Sequence, residues 1–442
     1  MYFIQVLNRR YHFEAFKITF LSLALTLTIS LFGNETTIEG TSLEQLQATI
    51  RDLETKDFKE DPKALFTLAS IYSNQNAWDS LRPLIIQMQR LPYFKDVTHY
   101  FKGRLLLSEN KVGSARKEFE SALRKRPEAI TGLLGHIYFY KAYCLKELNQ
   151  INRSKTSFEQ ALENGFKEEN LSELIKLAEF FNLFNRPNDS IAVINRYPNA
   201  LLNKNYELSA ILGRAYQKLN LHYMAIQSFT QSLDVEQSQY FTRMLRANSY
   251  RQIEDLEKAL IDIEAAERMK PGQADQQFIH GLILFQMGQL KDAYLRFKKA
   301  ETAYSGDDYF LVLYGSLSQA IGEEASALSA VETYFEADFN PPNKNAILIN
   351  LLLNPSLNKD LSFDPYYSDV RLFRMYMLER LSYKEVLSAS RDASISYFLA
   401  QSEKDRKNLS AYRELLFETL RRSKKKSPEH LFAIWQLNQK EE

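Results

Sequence analysis

Six histidines, one cysteine and a few paired carboxylates are the residues of this 442-residue chain with the types needed for chemistry. The histidines are His12, His99, His136, His222, His280 and His430, and no two sit at metal-ligand spacing. There is no H-E-x-x-H, no G-x-S-x-G elbow, no phosphate-cradling glycine loop and no DxDxDG calcium loop. Cys144 stands alone, which excludes an intramolecular disulfide and a cysteine-rich zinc site. As a nucleophile it would need a histidine that nothing in the sequence places beside it, so it reads as a buried thiol. Glu323-Glu324 falls at a turn and reads as solvent exposure. No catalytic residue, metal or cofactor is assigned. Asn34-Glu35-Thr36 fits a glycosylation acceptor, which matters only in a eukaryotic secretory route. Arg421, Arg422, Ser423, Lys424, Lys425 and Lys426 form a basic run. It is either a solvated loop that also complements a helix C-terminus, or a contact for anionic lipid or an acidic partner.

What would position these residues is long helices. The chain has 25 tyrosines and 29 phenylalanines but only 14 glycines and 12 prolines, so large side chains abound and turn-makers are scarce. An apolar fraction of 45% argues against a disordered chain. A balance of 56 Lys and Arg against 55 Asp and Glu argues against a strongly basic nucleic-acid binder.

Residues 18–32 are uncharged: ten are apolar and five are Ser or Thr. Arg9, Arg10 and Lys17 precede them, opposed only by Glu14. That is the layout of a secretory signal, and 15 residues is short of the roughly 20 a spanning helix wants. A cleaved signal, an uncleaved anchor and a buried helix stay open, because Leu31-Phe32-Gly33 is a poor cleavage site. The first two readings export the rest of the chain, with a membrane contact through residues 18–32 if the anchor stays. Without residues 1–33 the remainder carries about −1.

A small residue recurs at Ala69, Gly103, Ala142, Ala178, Gly213, Ala247, Gly281 and Gly315, at intervals of 34, 39, 36, 35, 34, 34 and 34. Twelve positions after each stand Leu81, Ala115, Ser154, Ser190, Ala225, Ala259, Ala293 and Ala327, small in every unit but the first. Four further on stand Ile85, Phe119, Phe158, Ile194, Phe229, Ile263, Phe297 and Val331, all large. Tyr72, Leu106, Leu145, Phe181, Tyr216, Tyr250, Leu284 and Ser318 follow the first small residue by three, and only Ser318 is polar. Two small residues facing each other let two helices approach closely, and the large one a turn on fills the groove between them. Each unit is then a helix-turn-helix hairpin whose apolar face only stacking can bury.

On these columns the chain resembles the tetratricopeptide repeat family over about residues 62–341. The best unit has Gly103, Leu106, Ala115, Phe119, Ala122 and Pro127, and the next has Ala247, Tyr250, Ala259, Ile263, Ala266 and Pro271. The resemblance implies an all-α, right-handed superhelical solenoid of eight units: 62–95, 96–134, 135–170, 171–205, 206–239, 240–273, 274–307 and 308–341. Residues 34–61 should hold a capping helix over 42–55, with Ser42 and Gln45 as a capping box and Leu43, Leu46, Ile50 and Leu53 on one face. Asp61-Pro62 should start the next helix. Residues 342–442 stay helical in pattern, with Ser382 and Glu385 as a second capping box and a last helix from Ser427-Pro428. They are either degenerate repeats or a separate small domain, set off by a loop between Asn354-Pro355 and Asp364-Pro365.

In this family the first helix of each unit lines the concave surface. By the resemblance that surface offers Phe66 and Asn74, Tyr100 and Arg104, Phe139 and Tyr143, Arg214 and Lys218, Asn248 and Arg251, Phe278 and Phe285, and Tyr309. Rings with Arg and Asn suit a peptide groove. Asn248, Arg251, Arg214 and Lys218 partly echo the set by which some members grip a C-terminal carboxylate. The expectation is a non-catalytic scaffold of the cell envelope that holds a peptide or protein partner and no nucleic acid. The alternatives are an assembly subunit acting through its ends or convex face, and an enzyme with its site in the last hundred residues.

Overall fold

The computed structural model describes residues 43–58, 61–91, 94–124, 133–197, 205–337, 339–354, 367–425 and 427–439. The segment 18–32, the Asn34 acceptor, Ser42, Pro127, Pro355, Pro365 and Lys426 lie outside them. Among the described residues all regular structure is helical, in 23 α-helices and one 3-10 turn, and none of the helices is long and apolar enough to cross a membrane.

Helix α1 (Leu43–Glu54) packs Ile50 and Leu53 against the core. Four hairpins follow: α2 (Pro62–Asn74) with α3 (Trp78–Arg90), α4 (Lys95–Ser108) with α5 (Val112–Arg124), α6 (Leu133–Glu147) with α7 (Ile151–Glu163), and α8 (Leu171–Leu183) with α9 (Pro187–Ile194). Asp61 caps α2 by accepting from the Ala64 N–H at 3.1 Å, with Pro62 at the first helical position. A fifth hairpin, α10 (Tyr206–Lys218) with α11 (His222–Val235), completes a first compact unit that ends at Val235.

The second unit starts at Glu236. Its hairpins are α12 (Tyr240–Gln252) with α13 (Leu256–Met269), α14 (Ala274–Gln286) with α15 (Leu290–Ala300), and α16 (Asp308–Ile321) with α17 (Glu324–Glu336). Then come α18 (Lys344–Leu353), α19 (Ser368–Met377), α20 (Tyr383–Ala389), α21 (Ala393–Asp405), α22 (Leu409–Arg422) and α23 (Pro428–Asn438). Ser382 and Glu385 form both bonds of a capping box on α20, and Ser427 caps α23.

One turn closes every hairpin of the array. Asn76, Asn110, Asn149, Asn185, Asn220, Glu254, Gly288 and Gly322 follow each small residue by seven and have φ from 56° to 88°. The next residue's N–H reaches back to the carbonyl of the Tyr72-to-Ser318 column, at 2.7 to 3.0 Å in every unit. This is the Schellman motif, which ends a helix through one left-handed residue and satisfies two of its last carbonyls. Asn and Gly visit that region at least steric cost, which explains seven of the eight choices. The turn recurs at Glu379 between α19 and α20 and at Lys407 between α21 and α22, where the 34-residue period is lost.

The small-residue columns pack as helix-pair spacers. A β-carbon on Gly103, Gly213 or Gly281 would meet the ring of Phe119, Phe229 or Phe297 at 2.6, 2.5 and 2.4 Å. Where the small residue is Ala69, Ala178 or Ala247, the groove residue is Ile85, Ile194 or Ile263. The second column's two serines make a bond that alanine cannot: Ser154 Oγ donates to the Ala142 carbonyl at 2.8 Å and Ser190 Oγ to the Ala178 carbonyl at 3.0 Å.

Candidate binding surfaces on the first helices

In the first unit, the first helices converge on a buried polar network rather than an open groove. The Arg104 guanidinium on α4 donates to the Tyr100 hydroxyl at 2.9 Å and to the Ser73 carbonyl of α2 at 3.2 Å. Its carbon lies 4.2 Å from the Tyr140 ring centroid, and Nη1 stands 3.6 Å from Glu173 of α8. The Tyr140 hydroxyl donates to the same carboxylate. His136 on α6 places Nδ1 3.7 Å from Glu173 and Nε2 3.4 Å from Glu169. Glu169 also accepts from Asn74 Nδ2 at 2.8 Å, a contact that joins the first hairpin to the connection between α7 and α8.

Glu173 is fully buried, which alone would favour its neutral form. His136, Arg104 and Tyr140 outweigh burial and hold its carboxyl well below the usual range. Burial also opposes an imidazolium at His136, yet the charges of Glu169 and Glu173 raise its pKa.

The rings expected in the groove of this unit lie in its core. Phe66 packs edge-on against Phe101, Phe139 stacks on Phe166 at 3.9 Å, and Tyr100 and Arg104 are 4% and 5% exposed. These four residues therefore do not offer a surface to a partner. Asn74 is half-buried and bonded to Glu169.

Tyr143 is half-buried, with Lys146 and Lys176 over its ring at 5.2 and 5.3 Å. Burial and the Arg104 charge hold the Lys176 ammonium below the ordinary lysine range. Arg214 is engaged by Glu179 at 3.4 Å, which also faces Lys146 at 3.7 Å, so a partner's carboxylate would have to displace Glu179. Lys218 is exposed.

In the second unit the structure brings four of the expected residues together: Asn248, Arg251, Phe278 and Tyr309. Arg251 Nε and Nη2 both donate to Asn248 Oδ1, at 3.0 and 2.9 Å. Arg251 makes no ion pair with a carboxylate among the described residues. Burial lowers its pKa, and Tyr309 opposes that shift. Tyr309 is 58% exposed and its ring stands 6.5 Å from that of Phe278, which is half-buried. Phe241 adds a ring that is 43% exposed, seven residues before Asn248 on α12. Phe285, expected in the groove, is instead in the core, 4% exposed and packed edge-on against Phe432 of α23.

The residues with chemistry in their type settle into structure. Burial pushes the Cys144 thiol up to about 12, so it carries no thiolate near neutrality. Among the described residues no three of His, Cys, Asp and Glu gather as they would around a metal ion. Glu323 and Glu324 are exposed at the start of α17.

One residue of the basic run, Arg422, is part of a helix cap. Arg422 donates to the Ser390 carbonyl and, at 3.1 Å, to the Leu387 carbonyl, both at the C-terminus of α20. Arg421 and Arg422 also share Glu418.

Sequence reasoning missed His136, Tyr140, Glu169, Glu173 and Lys176. One signal was present: Glu173 stands three residues after its cap Asn170 and directly before the apolar pair Leu174-Ile175 in the Leu171–Leu183 helix. A cap's N3 glutamate is usually solvated, and only the fold shows this one buried.

The family model described as tetratricopeptide repeat matches residues 135–164. No curated protein matches the sequence. Among solved structures, PilF of Pseudomonas aeruginosa is 14% identical, over 50% of this chain and 97% of that one, with a TM-score of 0.40. A tetratricopeptide repeat protein from Parabacteroides merdae is 11% identical, over 70% and 100%, with a TM-score of 0.36. YrrB, described as a tetratricopeptide repeat protein with an unusual peptide-binding site, is 16% identical, over 49% and 91%, with a TM-score of 0.26. The chain thus carries a tetratricopeptide repeat at α6–α7, in a row of helical hairpins built on the same turn and the same small-residue spacer.

Proposed function

We propose that the protein is a non-catalytic scaffold that holds a peptide or protein partner on the first-helix face of its second unit, around Asn248, Arg251, Phe278 and Tyr309. The observation that carries the reading is the state of Arg251. It is a half-buried guanidinium oriented by Asn248 and beside an exposed tyrosine, with no carboxylate partner among the described residues. A partner's carboxylate would complete the charge-assisted pair that the fold leaves open. The test is fluorescence anisotropy of the full chain against a pool of peptides ending in a free carboxylate and the same pool amidated. The free acids should bind more tightly, and Arg251→Ala and Tyr309→Ala should each weaken them about tenfold or more. Equal binding of both pools, unchanged by Arg251→Ala, would sink the proposal.

We further place this scaffold outside the cytoplasm, either released after cleavage or held by residues 18–32. The support is the basic stretch and the uncharged run in the sequence. Recovery of residues 1–33 intact on a cytosolic protein would overturn it.

A second reading has one observation in its favour. Ile261 and Leu295, one repeat apart on the second helices α13 and α15, are 63% and 54% exposed. If the protein assembles through that face, Ile261→Lys with Leu295→Lys would dissolve its complexes and leave Arg251-dependent binding intact.

A further inference from the structure

Helix α22 turns Ala411, Leu415, Leu416 and Thr419 inward, and its outer side does not look like an ordinary solvated face. Leu409, Arg413, Phe417 and Arg421 follow one another at steps of four and are all exposed, Leu409 by 53% and Phe417 by 61%. Lys424 and Lys425 continue the row past the helix end, exposed and without an ion pair to any described residue. Lys404, Arg406 and Lys407 stand exposed at the turn before it. From Lys404 to Lys425 the chain has eight bases and three acids, against a net charge of +1 over all 442 residues. Glu418 is engaged by Arg421 and Arg422, and Glu414 accepts from the Tyr383 hydroxyl at 3.1 Å.

We infer that this face of α22, with the Lys424-Lys425 loop, docks on an anionic lipid surface. The charge concentration calls for a polyanion, and the interleaved apolar side chains choose among polyanions. A bilayer interface receives both sets at once, with bases among phosphates and the Phe417 ring and Leu409 at the acyl boundary. A nucleic-acid backbone takes up the bases by counterion release but leaves Leu409 and Phe417 in water. The Arg422 contacts to α20 hold the helix and its basic loop in place, so the face is pre-formed. The inference is independent of the peptide site and of residues 18–32.

The test is co-sedimentation of the full chain with vesicles of phosphatidylcholine alone and of phosphatidylcholine mixed with phosphatidylglycerol. The wild type should partition onto the anionic vesicles and be released as salt rises. Lys424→Gln with Lys425→Gln should lower that partition roughly twentyfold, and Phe417→Ser about tenfold, with helical circular dichroism unchanged in both. Every protein compared carries residues 18–32, so the difference among them reports the α22 face alone. Sedimentation with anionic vesicles that is equal for wild type and both variants would overturn the inference. So would absence of vesicle binding alongside salt-sensitive capture of a DNA duplex that Phe417→Ser leaves intact.

Discussion

The ring of Phe119 occupies the space in which a β-carbon on Gly103 would stand, 2.6 Å from that position. The same relation holds for Gly213 with Phe229 and Gly281 with Phe297, whereas Ala69, Ala178 and Ala247 stand opposite Ile85, Ile194 and Ile263. The two columns thus trade volume: the smaller the spacer, the larger the side chain that fills the groove. Ala142 with Phe158 departs from the trade, and there Phe158 stacks on Phe180 at 4.9 Å. Gly315 departs the other way, since Val331 and Ala330 leave its missing β-carbon at ordinary contact distance, 3.6 Å and beyond.

The trade makes opposite forecasts for two glycines in neighbouring repeats. Gly281→Ala should destabilise the second unit by about 1–3 kcal/mol, because the Phe297 ring must shift in a close-packed core. Gly315→Ala meets no obstruction and should stabilise it by up to about 1 kcal/mol, the helix-propensity difference. Urea unfolding of both variants checks the sign. Gly281→Ala combined with Phe297→Ile should recover part of the loss and show a coupling energy in a double-mutant cycle.

The buried network of the first unit makes stability depend on pH in a defined window. The pKa of His136 is raised above 6.5, so its contribution is complete below that value and is lost as pH rises through the raised one. That of Glu173 is lowered below 4.5, so its contribution is present above that value and is lost as pH falls. The groups facing His136 are Glu169, Glu173 and Arg104. Stability of the first unit should be greatest between about 4.5 and 6.5 and decline on either side. Denaturant unfolding between pH 5 and 9 should show the alkaline decline in the wild type and a flatter profile in His136→Gln.

The turn column identifies a residue that fits its backbone badly. Lys407 has φ of 62° at the position where seven of the array's eight units use Asn or Gly. Lys407→Gly should raise the stability of the second unit by about 1 kcal/mol, the strain a β-carbon bears in the left-handed region. The same change at Lys404, in the last turn of helix α21, should instead lower it, by up to about 1 kcal/mol. Thermal unfolding of the pair decides whether backbone conformation is responsible.

Arg422 and Lys425 belong to one basic run but should behave differently. Arg422→Gln removes donors to two carbonyls at the end of α20 and should cost about 1–2 kcal/mol in unfolding free energy. Lys425→Gln should leave unfolding within about 0.5 kcal/mol of wild type, as exposed substitutions do.

The hairpins were legible because their determinants are local. Small residues set close approach, Asp61 and Ser382 set caps, and both act within a few positions. Asn or Gly at the turn carries the same period in seven of the eight units. The binding face was less legible. A first-helix position looks alike whether it meets solvent or a helix two units away, so Phe66, Phe139 and Phe285 could not be told from Tyr309. Arg104 shows the reason: besides Tyr100 one turn away, it meets Ser73 and Glu173, 31 and 69 residues distant, and no local pattern encodes those two.

A stack of hairpins joined only to their neighbours extends under load as a spring does, each junction opening in turn. The bond from Asn74 to Glu169 gives the first three hairpins a second load path, parallel to the chain. Pulled from its ends, this stretch should stay shut while the fifth hairpin yields, then give way in one step. Asn74→Ala should turn that single rupture into a series of smaller ones.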